Sequence, residues 1–272
     1  MKKIFKITKN KIKKLIPIRI KLVLFKLFFR YLHFDEVKLI FFYFKKNTKG
    51  LMIDVGAHRG SSSEFFVLEK WNVHCFEPDK KNFNFLLNKF NNSKNVRLNN
   101  LAISNKEGVL NFYQSEVSDG ISSLIKFHES HKIAYKTKVI KLATYIKKNK
   151  IKNIDFLKID VEGNDFNVLR SINFEEVMPR IILLEYEDKK TKKIKVTTND
   201  ILEFLTKHNY YYVISEWFPI TQYGSDHIWK KLHPINSSKF DINGWGNIIA
   251  FKNIQDADNF YAYAKKTINK IK

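Results

Sequence analysis

Residues 51–60 read LMIDVGAHRG, an apolar run that ends in Asp54 and passes at once into a turn with glycines at 56 and 60. The next such run, 72–76, ends in the acid Glu77. Two strands closing on acids, the first followed by glycines, constrain the chain to a sheet whose strand ends form a ligand edge. There glycines let the backbone approach a nucleotide-like molecule, and the acid after the second strand accepts hydrogen bonds from a ribose.

From Gly50 onward short β-rich runs alternate with helical patterns, as in βαβ units. Strands are expected at 51–55, 72–76, 96–99, 154–160, 181–185, 211–215 and 247–251. Helices are expected at 61–70, at 80–91, where Phe83, Leu86, Leu87 and Phe90 recur at helical spacing, and at 198–208 and 256–270. The fold class is therefore α/β: a doubly wound, mostly parallel, seven-stranded Rossmann-like sheet. Segment 108–150 alternates apolar and polar residues and reads as a hairpin-like insertion. Segment 216–246 carries Trp217, Tyr223, Trp229 and Trp245 without a regular period, as a loop region covering a substrate would.

Charge is distributed unevenly. Lys and Arg total 49 against 27 Asp and Glu, a net +22, and the first acid in the chain is Asp35. Residues 1–47 thus form a basic N-terminal extension of helical period, ahead of one α/β domain at 48–272. Lys21, Lys26 and Arg30 break its apolar runs far short of the ~20 residues a membrane span needs. Such a segment suits peripheral contact with an anionic membrane surface, or packing on the domain or on a second subunit of a homo-oligomer. The single cysteine, Cys75, excludes an internal disulfide framework and fits a reducing cytoplasmic setting. In its strand it reads as a small buried apolar residue.

The first loop lacks the third glycine of a dinucleotide fingerprint, and Asp54 stands immediately before its turn. An acid there would repel a pyrophosphate but suits a sulfonium or an ammonium, which favours S-adenosylmethionine over NAD. Residues 156–163, FLKIDVEG, form another strand finishing in acids, Asp160 and Glu162, with Lys158 two positions before Asp160. Residues 181–187, IILLEYE, place Glu185 and Glu187 at the same edge. Carboxylates so grouped can orient a hydroxyl, accept its proton, or hold a divalent cation such as Mg²⁺.

These pieces carry a resemblance. IDVGAHRG (53–60), CFEPD (75–79), NNLAISN (99–105), SSL (122–124), FLKIDVEGND (156–165) and LLEYE (183–187) stand in the order and spacing of the FkbM-type methyltransferases, a branch of the class I S-adenosylmethionine-dependent fold. The resemblance spans about residues 50–251. It implies that Asp54, Gly56, Ala57 and Gly60 line the methionine part of the cofactor, and that Glu77 holds the ribose hydroxyls beside Pro78. It further implies that Ala102 and Ile103 meet the adenine, that Ser123 lies near the cofactor, and that Asp160 and Glu162 face the methyl group and the acceptor, supported by Glu185. His58 stands where such loops often carry Asn; it reads either as a proton acceptor or as a loop histidine bonding its neighbours. If a metal takes part, Asp160, Glu162 and Glu185 are its ligands.

The function implied is O-methylation of a carbohydrate, sugar nucleotide or other small acceptor, phosphorylated ones being compatible with the basic surface. Two other readings stay open. A nucleic-acid-modifying enzyme would suit the charge, but the Asn-Pro-Pro-Tyr type of motif is missing. A glycan-binding protein that merely retains the fold would not need Asp54, Glu77 and Asp160.

Overall fold

The computed structural model describes residues 34–44, 48–220 and 227–269. The basic stretch 1–33, with the membrane contact expected of it, and Tyr223 lie outside them.

Successive residues of a strand point to opposite faces of a sheet, and the expected strands obey this rule. Strands β1 (Leu51–Val55), β2 (Asn72–Phe76) and β3 (Val96–Asn99) pair in parallel. A short β4 (Ala102–Ile103) joins β5 (Gly108–Ser115) and β6 (His131–Ile140) in a separate three-stranded sheet. This sheet is the expected hairpin insertion, folded over the end of the main one. The main sheet continues through β7 (Phe156–Ile159), β8 (Ile181–Tyr186), β9 (Tyr211–Trp217), β10 (Trp229–Leu232) and β11 (Trp245–Phe251), in the order β10-β9-β11-β8-β7-β1-β2-β3. Strand β11 runs antiparallel between β8 and β9.

All seven expected strands are present, and β10 is an eighth. It was legible only as irregular chain because WKKL has no buried face. The strand is held instead by antiparallel pairing to β9, by a Trp229 Nε1 hydrogen bond to Ser215 Oγ (3.0 Å) and by Phe34 stacked on Trp229. Helices cover both faces. Ile53, Val55, Leu157, Ile159, Ile182 and Leu184 pack on one side with helices Leu142–Lys148, Asp165–Leu169 and Thr198–Lys207. The alternate residues Met52, Phe156, Ile181 and Leu183 pack on the other, with helices Glu36–Tyr43, Glu64–Leu68, Lys80–Phe90 and Ile254–Asn269. Among the described residues no helix is long and apolar enough to cross a membrane.

Helix Glu36–Tyr43 is part of the second core. Asp35 caps it by accepting from the Lys38 amide, and the buried Glu36 carboxylate accepts from Ser215 Oγ and Trp217 Nε1, both at 2.6 Å. The helix's own Leu39, Ile40 and Phe41 are buried. At ~1.5–3 kcal/mol per buried large side chain, removal of residues 1–45 is expected to lower stability by about 5 kcal/mol. Urea unfolding checks this, and a loss below about 1 kcal/mol would refute the packing role.

Candidate active site

At the C-terminal ends of β1, β2 and β7, under the hairpin insertion, lies a cavity of about 270 Å³. Gly56, Ala57, His58, Glu77, Pro78, Ala102, Ile103, Ser123, Asp160 and Glu162 all line it. Gly56 sits there at φ +81°, and a Cβ on it would meet the Asp160 carbonyl oxygen at 1.8 Å, so the loop after β1 crosses the end of β7 only as glycine. Glu77 is fixed by two backbone amides: Oε2 accepts from His58 N at 2.7 Å and Oε1 from Asp79 N at 2.8 Å. Burial outweighs these bonds and pushes its carboxyl up to about 7.

Asp54 does not line this cavity, contrary to the expectation from its place before the turn. The two-residue strand period puts it on the face of Met52, beneath helix Glu64–Leu68, where it is fully buried. Its carboxylate accepts from Ser63 Oγ (2.7 Å) and pairs with Lys158 Nζ (3.2 Å), its register neighbour on β7. Lys158 is itself 5 % exposed, and its ammonium also reaches Asp160 Oδ2 (3.2 Å) and the Gly56 carbonyl (3.1 Å). Burial alone would lower this lysine, but Asp160 and Asp54 hold it above its usual range. Asp54 therefore acts through Lys158, which ties the buried acid, the glycine turn and the open Asp160 carboxylate together. Gly60 lies outside the cavity too. Its φ is +72°, and a Cβ on it would press against Phe90 and Leu86, so it is a packing glycine.

Asp160 is the acid most open to the cavity, with 47 % of its side chain exposed. Burial among its neighbours would raise its carboxyl, but Lys158 and Lys190 outweigh that and keep it below the usual carboxylate range. Glu162, two residues on, adopts φ +56°, a left-handed backbone that costs a non-glycine residue of the order of 1 kcal/mol. Its carboxylate pairs with Lys190 Nζ at 2.7 Å. Burial pushes it up to about 7 against that pull. Ser123 Oγ donates to the Glu162 carbonyl at 2.8 Å and fixes the turn. Glu185 lies behind this wall rather than on it, with both oxygens bonded to Lys190 (2.9 and 2.8 Å), and burial raises it well above the ordinary range.

A divalent cation does not fit this donor set. The Lys190 ammonium already occupies the point where Glu162, Glu185 and Glu187 converge, and Lys158 stands against Asp160. Among the described residues no group of three His, Cys, Asp or Glu side chains is arranged to hold a metal ion.

His58, also left-handed at φ +48°, places a buried Nε2 that makes no hydrogen bond, 3.5 Å from Asp119 Oδ1. Burial lowers the ring below its usual value despite that carboxylate, so it is neutral at pH 7. Sequence reasoning missed Lys190 and Asp119. A lysine shortly after the acids of IILLEYE is a signal that was available for the first. Asp119 reaches the cavity only because the hairpin insertion folds back, which no local pattern shows.

The methyltransferase FkbM domain family matches the chain over residues 54–212, more than half its length. The chain belongs to the FkbM methyltransferase family. It is accordingly an S-adenosylmethionine-dependent methyltransferase. No protein of curated function matches it in sequence. Among solved structures it is similar to precorrin-6Y C5,15-methyltransferase from Geobacter metallireducens (11% identity, 79% of this chain and 87% of that chain, TM-score 0.40). It is also similar to an rRNA methylase from Streptococcus thermophilus (8%, 79% and 93%, 0.41) and to SMU.1697c from Streptococcus mutans, solved with SAH (11%, 80% and 97%, 0.42). The family match, not these distant likenesses, carries the assignment.

The cavity of this FkbM methyltransferase fits its cofactor. Glu77, pinned by two amides, and the ionised Asp160 both line this cavity, and such a pair of acids would suit a ribose diol and a sulfonium. Glu77→Ala is expected to weaken S-adenosylmethionine binding by ~1–3 kcal/mol, the scale for hydrogen bonds to a charged group. Because the Glu77 carboxyl stands at about 7 and its ionised form would be the one to accept the hydroxyls, affinity should rise with pH. About tenfold is expected between pH 6 and pH 8. Calorimetry checks both, and a pH-independent affinity would remove Glu77 from the contact.

Proposed function

We propose that the protein methylates a hydroxyl of a carbohydrate-like small acceptor, with Glu162 taking the proton. The observation that carries this is the divergence of two neighbouring acids on one cavity wall. Asp160 is held ionised by Lys158 and Lys190, whereas Glu162 titrates near neutrality. Environments that push paired acids apart assign them different tasks. A base whose pKa lies near the working pH is the effective one.

Bound S-adenosylmethionine supplies an electrophilic methyl group. The chain's own residues do the rest. Asp160 keeps a fixed negative charge facing the donor, and Lys158 fixes its position. Glu77 and the loop at Gly56 orient the ribose and methionine ends, while Ala102 and Ile103 give an apolar wall for the base. Glu162 accepts the acceptor's proton at its carboxylate, and Lys190, 2.7 Å away, stays charged beside it. Alignment of acceptor oxygen, methyl carbon and sulfur provides much of the rate in such a transfer. The neutral His58 stands on the same wall.

The acceptor class draws on the family and on the hydroxyl chemistry of this acid pair. Mass spectrometry of glycan and sugar-nucleotide pools, with and without the gene, tests it. A gain of one methyl group on a sugar hydroxyl is expected, and methylation found solely on nucleic acid would overturn the reading.

A further inference from the structure

A second cavity, about 460 Å³, opens at the same edge of the sheet. Phe127 and His128 of the hairpin insertion form one side; Glu187 after β8, Pro219 after β9, Asn243 before β11 and Trp245 at its start form the other. Lys190 lines it as well, and the Lys190 ammonium touches Glu162 of the cofactor cavity at 2.7 Å. One ion pair thus separates the two spaces, and Glu162 is the acid at their boundary.

Three features describe what would occupy this space. The Trp245 indole is immobilised by its Nε1 bond to the Phe218 carbonyl (2.6 Å), by Trp217 at 5.6 Å and by His227 at 4.8 Å, so the edge it offers the cavity, 8 % of its surface, is preformed. Glu187 is 9 % exposed, and its buried Oε2 makes no hydrogen bond, although Lys190 Nζ lies 3.2 Å away. A buried acceptor without a hydrogen bond is costly and is satisfied by an incoming hydroxyl donor. Charge argues against a phosphate, because Glu162, Glu185 and Glu187 already surround Lys190. Lys190 is engaged by these three acids, which leaves Lys189 at the rim as the lining lysine that a phosphate would meet.

We infer that this second cavity is the acceptor subsite, shaped for an uncharged ring that carries several hydroxyls, such as a pyranoside. The inference rests on the methyl-transfer reading above and narrows it. The apolar face of the ring lies along Trp245 and Phe127. One hydroxyl donates to Glu187, and another is presented across the boundary to Glu162.

Saturation-transfer NMR on the full chain, with S-adenosylhomocysteine bound, tests this. The probes are the methyl pyranosides of glucose, galactose and mannose, with glucose 6-phosphate as the charged competitor. At least one neutral pyranoside should show ring-proton transfer. Asn243→Trp, which fills the cavity from its exposed rim, should abolish the signal. Glu187→Gln should weaken binding about tenfold, the loss of one hydrogen bond to a charged acceptor. Both variants should keep wild-type affinity for S-adenosylhomocysteine by calorimetry. Silence from every pyranoside, a signal that survives Asn243→Trp, or displacement by glucose 6-phosphate at lower concentration would each overturn the inference. Failure of wild-type protein to bind S-adenosylhomocysteine would instead strike the methyl-transfer reading, and the inference with it.

Discussion

Lys158→Met should cost about 3–5 kcal/mol of stability, the scale for removing one partner of a buried ion pair. Asp54 has no exposed surface, and after the change it would keep only the Ser63 hydroxyl as a near partner. Asp160 would suffer less because it opens on the cavity. The Gly56 carbonyl would lose its ammonium donor as well. Pairing the change with Asp54→Asn should recover a large part of the loss, since no buried charge then remains uncompensated. Urea denaturation of the single and double variants measures this. A single-variant loss below about 1 kcal/mol, or no recovery in the double, would show that the Asp54–Lys158 pair does not hold the sheet edge.

Glu162→Gln should lower turnover by ~10²–10⁴, the range for losing a general base, while cofactor affinity stays near wild type. Turnover is read as S-adenosylhomocysteine release with the acceptor pool that supports the wild-type enzyme. The pH profile separates the base from a merely structural part. With Glu162 at about 7, its active form is the deprotonated one, so wild-type activity should rise as pH climbs through 7 and then level. At saturating S-adenosylmethionine, where the pH dependence that Glu77 gives to cofactor affinity no longer counts, the Gln variant should lack that limb. A variant that keeps both its rate and its pH limb would remove Glu162 from the reaction and leave His58 as the acceptor.

The sheet was legible where strands are buried on both faces. Runs such as LMIDV and IILLEY have no alternative that buries so much apolar surface, and each formed where expected. The extra strand WKKL escaped because edge pairing and the Phe34–Trp229 stack hold it, and neither leaves a periodic trace. Within the site, Glu77 and Asp160 could be placed on the ligand edge because both follow strand ends. Asp54 could not be placed from position alone, since one residue's difference in register turns a side chain from the cavity to the opposite face. The role of Lys158 follows from its pairing opposite Asp54, a long-range fact. Lys190 owes its importance to three acids brought together from two segments of chain.

The excursion between β4 and β6 lends Ser123 to one cavity and, four residues later, Phe127 and His128 to the other. Lengthening or shortening that span would displace both walls together, whereas exchanging a side chain at 127 or 128 would touch one alone. Redesign of acceptor preference should therefore keep the backbone count fixed and alter chemistry at those two positions.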